Sequence, residues 1–189
     1  MKSCLFLIDI QESFRQRPYF TDDDLPVYLA AQNALIDGFV AQGVSVVRIF
    51  HTDGPESQDN PFSLVSGHVK PLAGLRDCTP AATFFKHRHS ALVGTGLDVW
   101  LTEHGIQKLI VSGIRTEQCC ETTTRHACDL GWQVDYCLDA TLTWGMPQHG
   151  GGSLSAADIK ARTATVLQDR FAQVCSVSQA LAQGDGART

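Results

Sequence analysis

Short apolar runs alternate with longer segments of helical period along almost the whole of this 189-residue chain. A strand covered on both faces reads as a continuous apolar run, whereas a helix packed on one face repeats its apolar residues at about 3.6 positions. The first run, residues 3–8, is continuous and stops at Asp9. A helical pattern follows over 25–42, carried by Leu25, Leu29, Leu35, Ile36, Phe39 and Val40 and closed by Gly43. Further strands are predicted over 44–50, 82–86, 108–113, 133–138 and 171–177. Helices are predicted over 95–104, 119–130 and 155–170, with a terminal helix ending near Gly184. The pairs Thr95/Asp98 and Ser155/Asp158 have the spacing of capping boxes. Strand alternating with helix six times predicts an α/β, doubly wound, Rossmann-like three-layer sandwich with a mainly parallel six-stranded sheet. All of residues 1–189 fall in one domain.

Composition narrows the function classes. Hydrophobic residues make up 43% of the chain, enough for a sizeable core, and 19% are charged, too few for a disordered or coiled-coil chain. Fifteen Lys and Arg against twenty Asp and Glu give a net charge of −5, and no basic run is present. A nucleic-acid partner is therefore not expected. No apolar stretch is long enough for a membrane span, and the residues before Asp9 do not read as a signal peptide. Seven cysteines without a C-x-x-C pair fit neither a disulfide framework nor a zinc ribbon. A cytoplasmic location is the expectation, with Cys4, Cys128, Cys137 and Cys175 as small core residues.

In doubly wound folds, reactive groups collect where strands end and loops lead into helices. Three such side chains stand there: Asp9 after the first strand, Lys86 after the third and Cys119 after the fourth. A thiol at a helix start meets backbone N–H groups and the positive end of the helix dipole, and a lysine beside it favours the thiolate. An acid within reach takes the thiol proton and returns it to a leaving group. Together these are the parts needed to attack an amide or another activated acyl carbon.

The segments Leu7-Ile-Asp-Ile-Gln-Glu-Ser-Phe14, Phe85-Lys-His-Arg-His-Ser-Ala-Leu-Val-Gly-Thr95 and Val111-Ser-Gly-Ile-Arg-Thr-Glu-Gln-Cys-Cys-Glu-Thr-Thr-Thr-Arg125 resemble the isochorismatase-like cysteine hydrolases, and the likeness runs from about Ser3 to Leu181. That family includes nicotinamidases and carbamoylsarcosine amidohydrolases. The resemblance implies that Cys119 is the nucleophile, Asp9 the proton acceptor and Lys86 their electrostatic partner. It also implies a cis peptide at Ile114–Arg115 and an oxyanion hole from the backbone N–H groups of Arg115 and Cys119. Isochorismatases proper cleave a vinyl ether without the cysteine, so Cys119 points to carbon–nitrogen hydrolysis through a thioester.

Gln11, Phe14, Arg115 and Trp144 are placed in the substrate pocket, with Arg15 and Tyr19 as further candidates for its walls. Arg115 has two readings: a bidentate partner for a substrate carboxylate, or an arginine turned to solvent or a subunit interface. Cys120, about 100° around a helix from Cys119, is expected to pack. His87 and His89 flank Lys86 and read as neutral loop or strand-edge histidines, with a pocket role, from their proximity to Lys86, as the alternative. Nicotinamidases hold a metal with an Asp-x-His pair and a later His. Here Asp53 is followed by Gly54 and Pro55, with only His51 and His68 to join it, so no metal and no cofactor are expected.

The resulting expectation is a metal-independent hydrolase of a small amide, ureido or carbamoyl compound, acting on a small-molecule substrate and forming a homo-oligomer, a dimer or tetramer. The alternatives are an ether hydrolase of the same fold, or a binding protein with a degenerate site.

Overall fold

The computed structural model describes residues 1–185. Six parallel strands form its central sheet: β1 (Ser3–Ile8), β2 (Ser45–His51), β3 (Ala82–Lys86), β4 (Lys108–Ile114), β5 (Gln133–Leu142) and β6 (Gln173–Cys175). Their spatial order is β3-β2-β1-β4-β5-β6. Side chains alternate across a strand, and β1 shows how each face is covered. Leu5 and Leu7 join a core with Tyr28, Leu35, Ile36 and Phe39 of α1 (Leu25–Ala41) and Ala180 of α5 (Val177–Asp185). Cys4, Phe6 and Ile8 join the opposite core, with Leu97 and Leu101 of α2 (Leu97–Glu103), Ala127 of α3 (Glu121–Asp129) and Leu167 of α4 (Ala156–Leu167). The result is helix, sheet, helix in three layers. Each fully buried Leu, Ile or Phe contributes about 1.5–3 kcal/mol, so both faces hold the sheet in place.

Three local features depart from the pattern expected of the sequence. The Ser155/Asp158 capping box forms, but the Thr95/Asp98 one does not. Gly96, at φ 73°, takes the N-cap of α2, and the Thr95 hydroxyl instead accepts from Leu97 N and donates to the Ala91 carbonyl. The helix expected to start at Cys119 is preceded by a π-helical turn, Thr116–Cys120, and α3 itself starts at Glu121. Strand β5 continues to Leu142, with an irregularity in its pairing to β4 between Val111 and Gly113. A short antiparallel pair, Met146–Pro147 with Ser153–Leu154, follows it.

The strand order places a crevice at β1. From there the chain builds outward to β2 and β3 on one side and to β4, β5 and β6 on the other, so the connections leaving β1 and β4 diverge above their C-terminal ends. Gly113 makes that meeting close. A Cβ at its position would lie 2.0 Å from the Ile8 carbonyl oxygen, and its φ is +131°. Only glycine fits both conditions.

Candidate active site

Asp9 follows β1 directly and adopts φ 52°, a left-handed conformation that Asp tolerates better than most residues. Its backbone N–H donates to the Ile49 carbonyl at 2.8 Å, and its side chain is fully buried. Lys86 ends β3 opposite His51 of β2, and its fully buried stem carries the ammonium back to β1. There Nζ lies 2.7 Å from Asp9 Oδ2, 3.0 Å from His51 Nδ1, 3.1 Å from the Arg88 carbonyl and 3.3 Å from Cys119 Sγ. Asp9, Lys86 and Cys119, far apart in sequence, therefore meet at the end of β1. The Ile114–Arg115 peptide between β4 and the π turn is cis.

The electrostatics of the cluster follow from burial. Burial opposes the Lys86 ammonium, but the Asp9 carboxylate and the Cys119 sulfur outweigh it and raise the lysine's pKa. Burial and the Lys86 charge lower His51 to about 4, so its ring is a neutral acceptor for the ammonium. Burial also pushes the Cys119 thiol up, and Asp9 adds to this against the pull of Lys86. The thiolate expected from the helix start and the lysine is thus not the resting form. A protonated thiol lies against an Asp–Lys ion pair, and its ionisation must be coupled to proton transfer.

A cavity of about 160 Å³ opens onto this cluster. Drug-sized ligands occupy about 300 Å³ or more, so this one suits a smaller molecule. Asp9, His51 and Cys119 line it together with Phe14, Tyr19 and Phe62, and with Arg17, Asp53, His89 and Gln118. Phe62 arrives from the long connection between β2 and β3, which folds back over the end of β1. There Glu12 N donates to the Lys70 carbonyl and Leu72 N to the Ile10 carbonyl.

Several residues assigned to the pocket by sequence stand one layer behind it. Gln11 is bonded twice to the His51 backbone, accepting from N at 2.8 Å and donating to O at 3.0 Å, so it braces β2. Trp144 stacks on Phe14 at 6.0 Å and packs against Tyr19 at 5.5 Å, supporting the wall from outside. Arg115 follows neither of its two readings. It is buried, paired with Glu117 at 3.1 Å, bonded to Thr143 and the Trp144 carbonyl, and packed over the Tyr19 ring. Arg15 turns to Glu12 and Asp22. Cys120 is buried in the core. His87 bonds Thr52, and of the two flanking histidines only His89 lines the cavity.

A metal does not fit these residues. Of His51, Asp53 and His68, the last is absent from the cavity wall and His51 Nδ1 faces an ammonium 3.0 Å away. Among the described residues no three His, Cys, Asp or Glu side chains converge as a metal site.

Three cavity residues, Arg17, Phe62 and Gln118, escape a reading of the sequence. Only Arg17 had a local signal. In the 3₁₀ turn Glu12–Gln16, capped by Arg17, residues three apart share a side, which puts Arg17 with Phe14 and turns Arg15 away.

The fold and the crevice define an α/β protein whose reactive groups gather at a topological switch point. The chain belongs to the isochorismatase family: residues 3–178 match the isochorismatase domain. It is 26% identical over 184 residues to YrdC of Bacillus subtilis, an isochorismatase family protein, covering 94% of each chain. A solved hydrolase of the isochorismatase family from Chromobacterium violaceum superposes with a TM-score of 0.86 at 26% identity, covering 98% of this chain and 94% of that one. A cysteine hydrolase from Pseudomonas syringae shares the fold at a TM-score of 0.87 and 21% identity, covering 98% and 93%. The chain is thus an isochorismatase-like hydrolase. Among the described residues no helix is long and apolar enough to cross a membrane.

Proposed function

We propose that this hydrolase cleaves the C–N bond of a small amide, ureido or carbamoyl compound through a thioester on Cys119. The observation that carries the reading is the Lys86 ammonium, 2.7 Å from Asp9 and 3.3 Å from Cys119 Sγ, both of which line the cavity. Asp9 takes the thiol proton as sulfur bonds to the substrate carbon, and Lys86 holds the carboxylate in place. The backbone N–H groups of Arg115 and Cys119 stabilise the oxyanion. The C–N bond breaks as the amine or ammonia takes that proton from Asp9. Water then attacks the thioester, gives a proton to Asp9, and the thiol is restored by its return.

Because the thiol is raised rather than lowered, Asp9 has to act as a base in the attack itself. An ether hydrolase of this fold would have no use for the sulfur. Ammonia release from a panel of primary amides and N-carbamoyl compounds tests the reading, with Cys119→Ala and Cys119→Ser measured beside the wild type. The expected result is release by wild type alone. Turnover that survives both substitutions defeats it.

A further inference from the structure

We propose that Arg17 selects substrates carrying an anionic group, of the carboxylate class, at the end remote from the bond that Cys119 attacks. The placing of that bond rests on the cysteine-hydrolase reading above; the charge of the ligand does not.

Among the described residues, every arginine except Arg17 and Arg170 gives its guanidinium to an oxygen acceptor of the protein. Arg170 lies away from the site, beside Phe171 and Arg125. Arg17 lines the cavity that ends at Cys119. It is held there without being neutralised. Its backbone N–H donates to the Phe14 carbonyl at 3.0 Å, its carbonyl accepts from Phe20 N at 3.0 Å, and its guanidinium carbon lies 5.1 Å from the centre of the Phe62 ring. An aromatic face orients a guanidinium and leaves its N–H edge free for a bidentate acceptor.

The other charges of the cavity do not answer it. Asp9 is paired with Lys86, and His51 is neutral. Asp53, on the same wall, accepts from the Gly54 N–H at 2.9 Å, while its backbone N–H donates to the Phe62 carbonyl. Arg17, an exposed residue on the cavity wall, therefore presents an unpaired positive charge to whatever fills the space. Arg115, the other arginine close to the site, is already neutralised by Glu117 and cannot take this role.

Alkylation of Cys119 by iodoacetate and iodoacetamide tests the proposal without a known substrate. The two reagents differ in the carboxylate, and both replace iodide by sulfur. The modified Cys119 peptide is quantified by mass spectrometry, with the partly exposed Cys78 as internal control. In wild type the iodoacetate-to-iodoacetamide rate ratio at Cys119 is expected to exceed that at Cys78. Arg17→Gln should lower the Cys119 ratio about tenfold and leave the Cys78 ratio unchanged, while Arg17→Lys, which keeps the charge, retains most of it. A Cys119 ratio no higher than that of Cys78, or one unmoved by Arg17→Gln, overturns the proposal, as does a Cys119 that neither reagent reaches. Failure of the hydrolase reading shows separately, as no ammonia release from N-carbamoylglycine or its methyl ester with the alkylation ratios intact. With turnover, Arg17→Gln should reduce the kcat/KM preference for the acid over the ester by ten- to a hundredfold.

Discussion

Replacing Lys86 by Met keeps most of the buried stem and removes the ammonium, with its ion pair to Asp9 and its bonds to His51 and the Arg88 carbonyl. At 2.7 Å from Asp9 Oδ2 the gross attraction is about 6 kcal/mol at an effective permittivity of ~20. Much of that offsets the desolvation of two fully buried groups. What the substitution exposes is the cost of a buried carboxylate without its cation, about 3–5 kcal/mol. Urea unfolding at neutral pH reads this directly. Relative to wild type, Lys86→Met should lose about 3–5 kcal/mol. Asp9→Asn combined with Lys86→Met, which removes both charges, should lose less than Lys86→Met alone. A double variant as unstable as the single one would show that the unpaired carboxylate is not what Lys86→Met exposes.

Three further outcomes follow from particular contacts. Gly113→Ala puts a methyl 2.0 Å from the Ile8 carbonyl and demands φ +131° of an L-residue, so urea unfolding should show a loss of about 3 kcal/mol or more. His51 is lowered to about 4 from an ordinary 6.5, so the unfolded state binds its proton first and wild-type stability falls as pH drops from about 6.5 towards 4. His51→Gln should flatten that part of a melting-temperature profile, and an unchanged slope contradicts the assignment. Ser155→Ala removes the hydroxyl that caps α4 and should cost about 1 kcal/mol in urea unfolding, against no measurable change if the cap is idle.

The parts of this molecule legible in its sequence are those set by local pattern. The strands 3–8, 82–86 and 108–113 read as apolar runs because both faces of the sheet are covered, and they end within a residue of their observed limits. Asp9, Lys86 and Cys119 were visible as reactive side chains at the ends of strands. What stayed hidden depends on the long connection after β2 and on alternatives of similar energy. Phe62 reaches the cavity through backbone bonds between residues 52–81 and the end of β1, which leave no periodicity. Arg115 looks suited to bind an anion in the sequence; only packing shows that Glu117 has already paired with it. The protonation state of Cys119 is hidden for the same reason. A lysine and a helix start pull a thiol down, but neither reveals how thoroughly the sulfur is buried.

The central claim is that Cys119 becomes acylated, with Asp9 as the base. Acid-quenched turnover with an N-carbamoyl or amide substrate that releases ammonia, followed by intact-mass and peptide analysis, tests it most directly. The account predicts an adduct of the acyl mass on the Cys119 peptide, lost on hydroxylamine treatment, absent from Cys119→Ala and strongly reduced in Asp9→Asn. Undiminished ammonia release by Cys119→Ala would contradict it.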